Sequence, residues 1–195
     1  SISSIASGES DVAFICEQSE PINPALKVSH LCTVPLYLAA APSHPAVKHG
    51  IKKSKILNTL LSTGSYKSNV ALFKMCGCNF EDYFHDSRNI GEMSIIKRLA
   101  IEGKGIALLP KEIILEELNN SSLHLISNPD LLLYNNIYMV VNSYKTQKES
   151  TKDLIKMAIG LFQKHLKKEL SLQRNLSSQL CDSSFYCLKL IFFHE

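Results

Sequence analysis

Five short apolar runs punctuate the chain, and they narrow its fold more than any other feature. They are Val12 to Cys16, Val34 to Ala41, Ile56 to Ser62, Gly105 to Pro110 and Ile137 to Val141. Runs of this length, rich in β-branched and aliphatic residues, predict strands covered on both faces, the second run being the longest and the third a short strand or an extended lead into Gly64. Between them the apolar spacing changes to that of helices. Ile2, Ile5 and Ala6 precede Gly8, so residues 1 to about 7 read as the last turns of a helix closed by glycine. Helices are also predicted from Ser65 to about Cys76, with Gly77 as the stop, and over Met93, Ile96, Leu99 and Ala100, with Gly103 as the stop. A marginal helix spans Lys111 to Leu118, with Glu116 and Glu117 near its C-terminal end where the dipole disfavours them. Another runs from Thr151 to about Leu166, with a stripe of Leu154, Ile155, Ala158, Leu161, Phe162 and His165. Strands alternating with helices imply an α/β domain with a mostly parallel sheet.

The connections are less distinct. Residues 17 to 26, with two prolines, read as a loop, Lys48 to Lys55 as a solvated basic connection, and Phe80 to Ser87 as a half-exposed strand. The last residues, FYCLKLIFFHE, are apolar with no evident partner strand; a docked terminal strand and an exposed appendage both fit. At 195 residues, 45% hydrophobic and 20% charged, the chain can bury a sizeable core as one domain or two small lobes. No window approaches the roughly 18 apolar residues that span a bilayer, and the first residues have no signal-peptide pattern, so a soluble, cytoplasmic protein without membrane contact is expected.

Most chemistry is set aside on spacing. A net charge of +3 is thin for a nucleic-acid binder, and the lysines of Lys164 to Lys168 suit the end of a helix. Cys16, Cys32, Cys76, Cys78, Cys181 and Cys187 include only a C-G-C, one residue short of the spacing used by zinc and redox sites, so mostly buried free thiols are expected. Gly103-Lys104-Gly105 follows a helix and opens a strand, the reverse of a dinucleotide-binding loop, and reads as a C-cap and tight turn. His85, Asp86 and Ser87 are adjacent and cannot converge in an extended chain; His44, beside Pro45, suits a turn. No catalytic residue, metal site or cofactor is indicated, and no enzyme is expected.

The order of segments SGESDVAFI, VPLYLAAAPSHP, MSIIKRLAIEGKGIALLP and IYMVV before a terminal amphipathic helix resembles the effector-binding domain of LysR-type transcriptional regulators over about residues 2 to 168. The resemblance implies a two-lobed α/β fold of the type II periplasmic-binding-protein kind, with lobe one, incomplete here, in residues 1–33 and 136–169 and lobe two in 34–135. Hinge strands would lie near Leu36 and Met139, and residues 170–195 would be a C-terminal extension that the family does not explain. It also implies that the family's winged helix-turn-helix and the first strand and helix of lobe one are missing before Ser1, so that DNA is bound only through a domain outside this sequence. The full-length regulator would be a homo-oligomer with a small-molecule effector between the lobes. Alternatives are a solute-binding protein of a transport system and a non-functional gene fragment. By the family's pattern, loops at strand ends and helix N-termini line the effector site. Here these are Cys16 and Glu17, Thr63, Gly64 and Ser65, and Asn89, Ile90 and Gly91. Two helix N-termini pointing into one cleft would suit a small anionic metabolite, with Thr63, Ser65 and Asn89 as neutral donors.

Overall fold

Two of the apolar runs, with a polar segment from the chain between them, become neighbouring strands because the residues between the strands form helices that carry the chain back across the sheet. In the computed structural model, which describes residues 2–16, 24–128, 131–143 and 148–162, β3 (Thr59–Ser62) is flanked in parallel by β4 (Asp86–Asn89) and β5 (Ile106–Leu109). Between β3 and β4 runs α3 (Tyr66–Met75), and between β4 and β5 runs α4 (Met93–Ile101). Leu60, Leu61 and all of β5 are buried, as a strand covered on both faces requires. The fit is close at Gly105. A Cβ there would stand 2.7 Å from the Thr59 carbonyl oxygen and 2.9 Å from Leu61 Cγ, so only glycine lets β5 start beside β3.

The chain divides into two compact units, residues Thr33–Asn136 and residues Ser1–Cys32 with Ile137–Glu195. The continuous unit holds the three parallel strands and the second half of β2 (Leu26–Ala40), which pairs antiparallel with β5 on one side and with the short β6 (His124–Leu125) on the other. Its sheet is therefore mixed, contrary to the mostly parallel one expected: β3 is parallel to β4 and β5, while β2 runs antiparallel to β5 and β6. One core face gathers Phe73, Phe80, Tyr83 and Phe84 with Leu60, Leu72, Ile106 and Leu133; the opposite face gathers Leu61, Ile96, Ala100, Leu109, Ile114 and Leu123. Edge-on ring contacts of 5.3 Å to Phe80 and 5.7 Å to Phe84 place Phe73 at the centre of the first.

The discontinuous unit is smaller in its core. β1 (Val12–Cys16) pairs antiparallel with the later part of β7 (Leu133–Asn142), Val12 opposite Val141 and Cys16 opposite Ile137. Only Ile5 of α1 (Ile2–Ala6), Leu26 and Val140 form its fully buried cluster. A helix over residues 149–162, here α6, turns Thr151 and Ala158 inward and leaves Leu154, Met157 and Leu161 exposed, so its stripe is narrower than expected.

Several local expectations are corrected. β1 is not covered on both faces: Phe14 is 45% exposed, on the face opposite Ala13 and Ile15, which pack against the buried cluster. The Phe80 to Ser87 stretch is a 3₁₀ turn (Phe80–Asp82) followed by β4; Phe80, Tyr83 and Phe84 are buried at a spacing of three and four, not two. β2 starts inside what reads as a loop. α2 (Pro45–His49) was not expected, although Pro45 occupies its first turn and His44 is its N-cap, the Nδ1 accepting from Ala46 N–H at 3.1 Å. The basic connection is not wholly solvated, since it buries Ile51 and Ser54. In α5 (Leu115–Asn119), Glu116 and Glu117 lie in the first turn, where the dipole favours them, because a 3₁₀ turn (Lys111–Ile114) delays the α-helix. Of the four described cysteines, all thiols, only Cys32 is buried; Cys16 is exposed and Cys76 and Cys78 are intermediate. His165, Lys164 to Lys168, Cys181, Cys187 and the apolar terminal run lie outside the described residues.

Candidate ligand site

Two loops leave the same end of the parallel strands. β3 and β4 run in register with Ser62 opposite Asn89, and the Ile90 N–H donates to the Ser62 carbonyl at 2.8 Å, which extends the pairing one residue into the second loop. Thr63–Gly64–Ser65 and Asn89–Ile90–Gly91 are thereby side by side. Sequence reasoning did not single out the two residues that shape the first loop. Ser62 is buried; its Oγ donates within reach of Asn69 Oδ1 at 3.0 Å and Gly64 O at 3.2 Å, and accepts from Gly64 N–H at 3.2 Å. Asn69, on the inner face of α3 and 3% exposed, returns Nδ2 toward Gly64 O at 3.4 Å. The signal for both was present: a hydroxyl at the end of an apolar strand and an amide among the buried positions of the next helix. A Cβ at Gly64 would lie 2.9 Å from Asn69 Oδ1, so the loop needs glycine to close on that amide.

Ser65 is the N-cap of α3, its Oγ accepting from Ser68 N–H at 3.2 Å. The Tyr66 and Lys67 N–H groups precede any intrahelical acceptor and stay open to solvent or ligand. Thr63 and Asn89 are exposed, and neither side chain has a hydrogen-bond partner among the described residues. Ile90 instead packs on the apolar core beside Leu61 and Ile96. Asn89 does not cap α4. That position belongs to Glu92, whose carboxylate accepts from Ser94 Oγ and occupies the positive end of the α4 dipole, so of these two helices it is α3 whose N-terminus carries no acidic residue in its first turn. At the start of α3, Tyr66 Oη donates to Glu81 Oε1 at 3.2 Å; desolvation of the phenol and this bond hold its pKa above the usual value. Cys16 ends β1 in the other unit, and Glu17 lies outside the described residues.

Two other features do not compete for this role. A depression lined by Glu112, Leu115, Glu116, Asn119 and Asn120 carries two carboxylates, which would repel an anion. Among the described residues no three His, Cys, Asp or Glu side chains converge as metal ligands.

The family model of the LysR substrate binding domain matches residues 1–163. This chain belongs to that family. Solved structures agree on the fold: full-length HypT, a hypochlorite-specific LysR-type regulator from Salmonella typhimurium, is 17% identical with a TM-score of 0.61. The match covers 82% of this chain and 54% of HypT. The effector domain of AmpR from Pseudomonas aeruginosa is 14% identical with a TM-score of 0.62, over 85% of this chain and 79% of that one. DarR from Vibrio fischeri, solved with DNA, is 16% identical with a TM-score of 0.61, over 82% and 53%. The LysR-family chain thus spans about half the length of the full-length regulators it resembles. A comparison with curated protein sequences finds no match. The fold is the periplasmic-binding-protein-like one expected from the sequence, and this is not a family of enzymes.

Proposed function

We propose that this chain is the effector-sensing part of a LysR-type transcriptional regulator and that its ligand is a small anionic metabolite held at Thr63, Gly64, Ser65, Asn89, Ile90 and Gly91, with Cys16 and Glu17 contributed from the other lobe. The family match across residues 1–163 carries the first half of this reading. The second half is supported by the open N–H groups at the start of α3 and by the unpartnered Thr63 and Asn89 side chains beside them. The two lobes, 1–33 with 136–169 and 34–135, would be the two compact units, which divide within a residue of those bounds. Closure of the lobes on the ligand would reset the geometry of an oligomeric regulator whose DNA contacts are made by a helix-turn-helix domain outside this sequence, in the cytoplasm.

Calorimetry against a panel of small carboxylates and phosphates, matched to neutral analogues, tests it. An anion should bind, and Thr63→Ala and Asn89→Ala should each weaken it about tenfold, roughly one hydrogen bond to a charged group. The exposed Lys53→Ala should leave the affinity unchanged. Binding of the neutral analogues alone, or undiminished affinity in both loop variants, would overturn the assignment.

A further inference from the structure

The far end of α3 carries a second cluster, independent of the ligand site. Cys76 caps the helix, Gly77 adopts φ +72°, and the Cys78 N–H returns to the Phe73 carbonyl at 2.9 Å. That reversal sets both thiols against one apolar core, and each remains partly exposed. Cys78 Sγ lies 3.7 Å from the Cys76 carbonyl oxygen, so the second side chain folds back over the first residue. Beneath them is Tyr83, 3% exposed, whose Oη donates to Cys78 Sγ at 3.8 Å; Lys52 Nζ stands 5.3 Å from the centre of the Tyr83 ring. Burial, and then the bond to Cys78, raise the Tyr83 pKa, which keeps the phenol a donor to sulfur.

We propose that Cys76 and Cys78 form a reversible dithiol site that reacts with peroxides. The sulfur that accepts the Tyr83 hydrogen bond is the one suited to attack first, since its negative charge has a donor in place. The Cys78 thiolate attacks one peroxide oxygen, the O–O bond breaks, and Cys78 becomes a sulfenic acid while hydroxide, or an alkoxide from an organic peroxide, departs. The Cys76 thiolate then attacks that sulfur, the S–O bond breaks, and water leaves with the proton that Cys76 gives up. Two thiols are oxidised and one peroxide is reduced. The small ring closed by a C-G-C disulfide is strained, so an ordinary dithiol reductant reopens it. A glycine at the central position suits this ring, because its left-handed backbone already turns the two flanking residues back on each other.

Trypsin isolates the site, because cleavage after Lys74 and Arg88 releases Met75–Arg88 with Cys76 and Cys78 as its only cysteines. After brief exposure of the intact protein to hydrogen peroxide, this peptide should be lighter by two hydrogens, refractory to alkylation, and restored by dithiothreitol. Oxidation of Met75 is told apart because it adds an oxygen. Cys76→Ser should leave a sulfenic acid on Cys78 that a cyclic diketone captures. Tyr83→Phe, which keeps the ring, should slow the reaction about tenfold, the worth of one hydrogen bond to a charged sulfur. Thiols that stay fully alkylatable, oxygen uptake on the cysteines without loss of hydrogen, or a disulfide to a different cysteine would overturn the proposal.

Discussion

Asn58 is fully buried one residue before β3, and replacing it tests whether polar satisfaction holds the continuous unit together. Its Nδ2 donates to the Ile51 and Tyr83 carbonyls, both at 2.8 Å, and its Oδ1 accepts from Ser54 Oγ at 3.1 Å. Three chain segments meet on one amide. In Asn58→Ala, Ile51 O keeps Ser54 Oγ at 3.3 Å, whereas Tyr83 O loses the Asn58 donor inside the core. One stripped buried carbonyl costs about 1–3 kcal/mol and the other two lost bonds about 1 kcal/mol or less each, so a loss of about 3 kcal/mol is expected. Asn58→Asp should be worse at neutral pH, because a carboxylate would face two carbonyl oxygens where donors stood. Burial would raise the pKa of that aspartate in the folded state, so its penalty should shrink as pH falls and the carboxyl regains a donor. Urea unfolding followed by far-UV dichroism reads both; with a slope of about 1–3 kcal/mol/M, Asn58→Ala should lower the midpoint by about 1–3 M. The exposed Asn119→Ala should shift it by less than about 0.5 kcal/mol. An Asn58→Ala variant within 1 kcal/mol of the parent, or an Asn58→Asp variant equal to it at neutral pH, would refute the argument.

The two glycines flanking Lys104 should respond differently to a methyl group. Gly103→Ala, with φ +73° but open space, should cost about 1 kcal/mol, whereas Gly105→Ala meets the β3 backbone and should cost about 2–3 kcal/mol by thermal unfolding. His44→Ala should remove about 1 kcal/mol by losing the α2 cap, and His44→Asn should retain most of it. Burial lowers the His44 pKa, so its contribution is fully present above the unfolded value near 6.5 and is lost as pH falls through the folded one; a stability profile unchanged in His44→Asn would contradict this. Lys97 Nζ, 2.8 Å from Glu117 Oε1, is the main reason the Glu117 pKa is lowered, with burial opposing it. That stability is present above the unfolded carboxylate pKa and is lost on acidification, so Lys97→Met should cost about 1–3 kcal/mol at neutral pH and flatten the acid limb of the profile.

The strands were legible because each apolar run is longer than its loops are ambiguous: Ile106–Leu109 and Thr59–Ser62 lie inside the expected runs. Helix stops were legible too, since Gly8, Gly77 and Gly103 all adopt positive φ. What was illegible depends on partners distant in sequence. Nothing local marks Asn58 as more buried than Asn119, because its role is written in the carbonyls of Ile51 and Tyr83. The lysines around Ile51 and Ser54 masked their burial. The aromatic stretch misled because two consecutive buried rings, Tyr83 and Phe84, satisfy neither a strand nor a regular helix. At the ligand site the loop after β3 was readable from Thr-Gly-Ser, but the cap of α4 fell to a carboxylate that the anion argument disfavours.

The discontinuity of the smaller unit dictates an order of events during folding. Pairing Val12 with Val141 closes a loop of roughly 130 residues, an entropic cost of about 4 kcal/mol that three buried core residues must offset. Once residues 33–136 have folded, Thr33 Oγ1 and Asn136 Oδ1 are 2.7 Å apart, and the open chain left to close shortens to roughly 25 residues, which lowers that cost by about 1.5 kcal/mol. The continuous unit is therefore the template, and the terminal strands assemble on ends it has already joined. In refolding, protection of β5 amides from hydrogen exchange should precede that of β1 amides; β1 protected first would reverse the sequence.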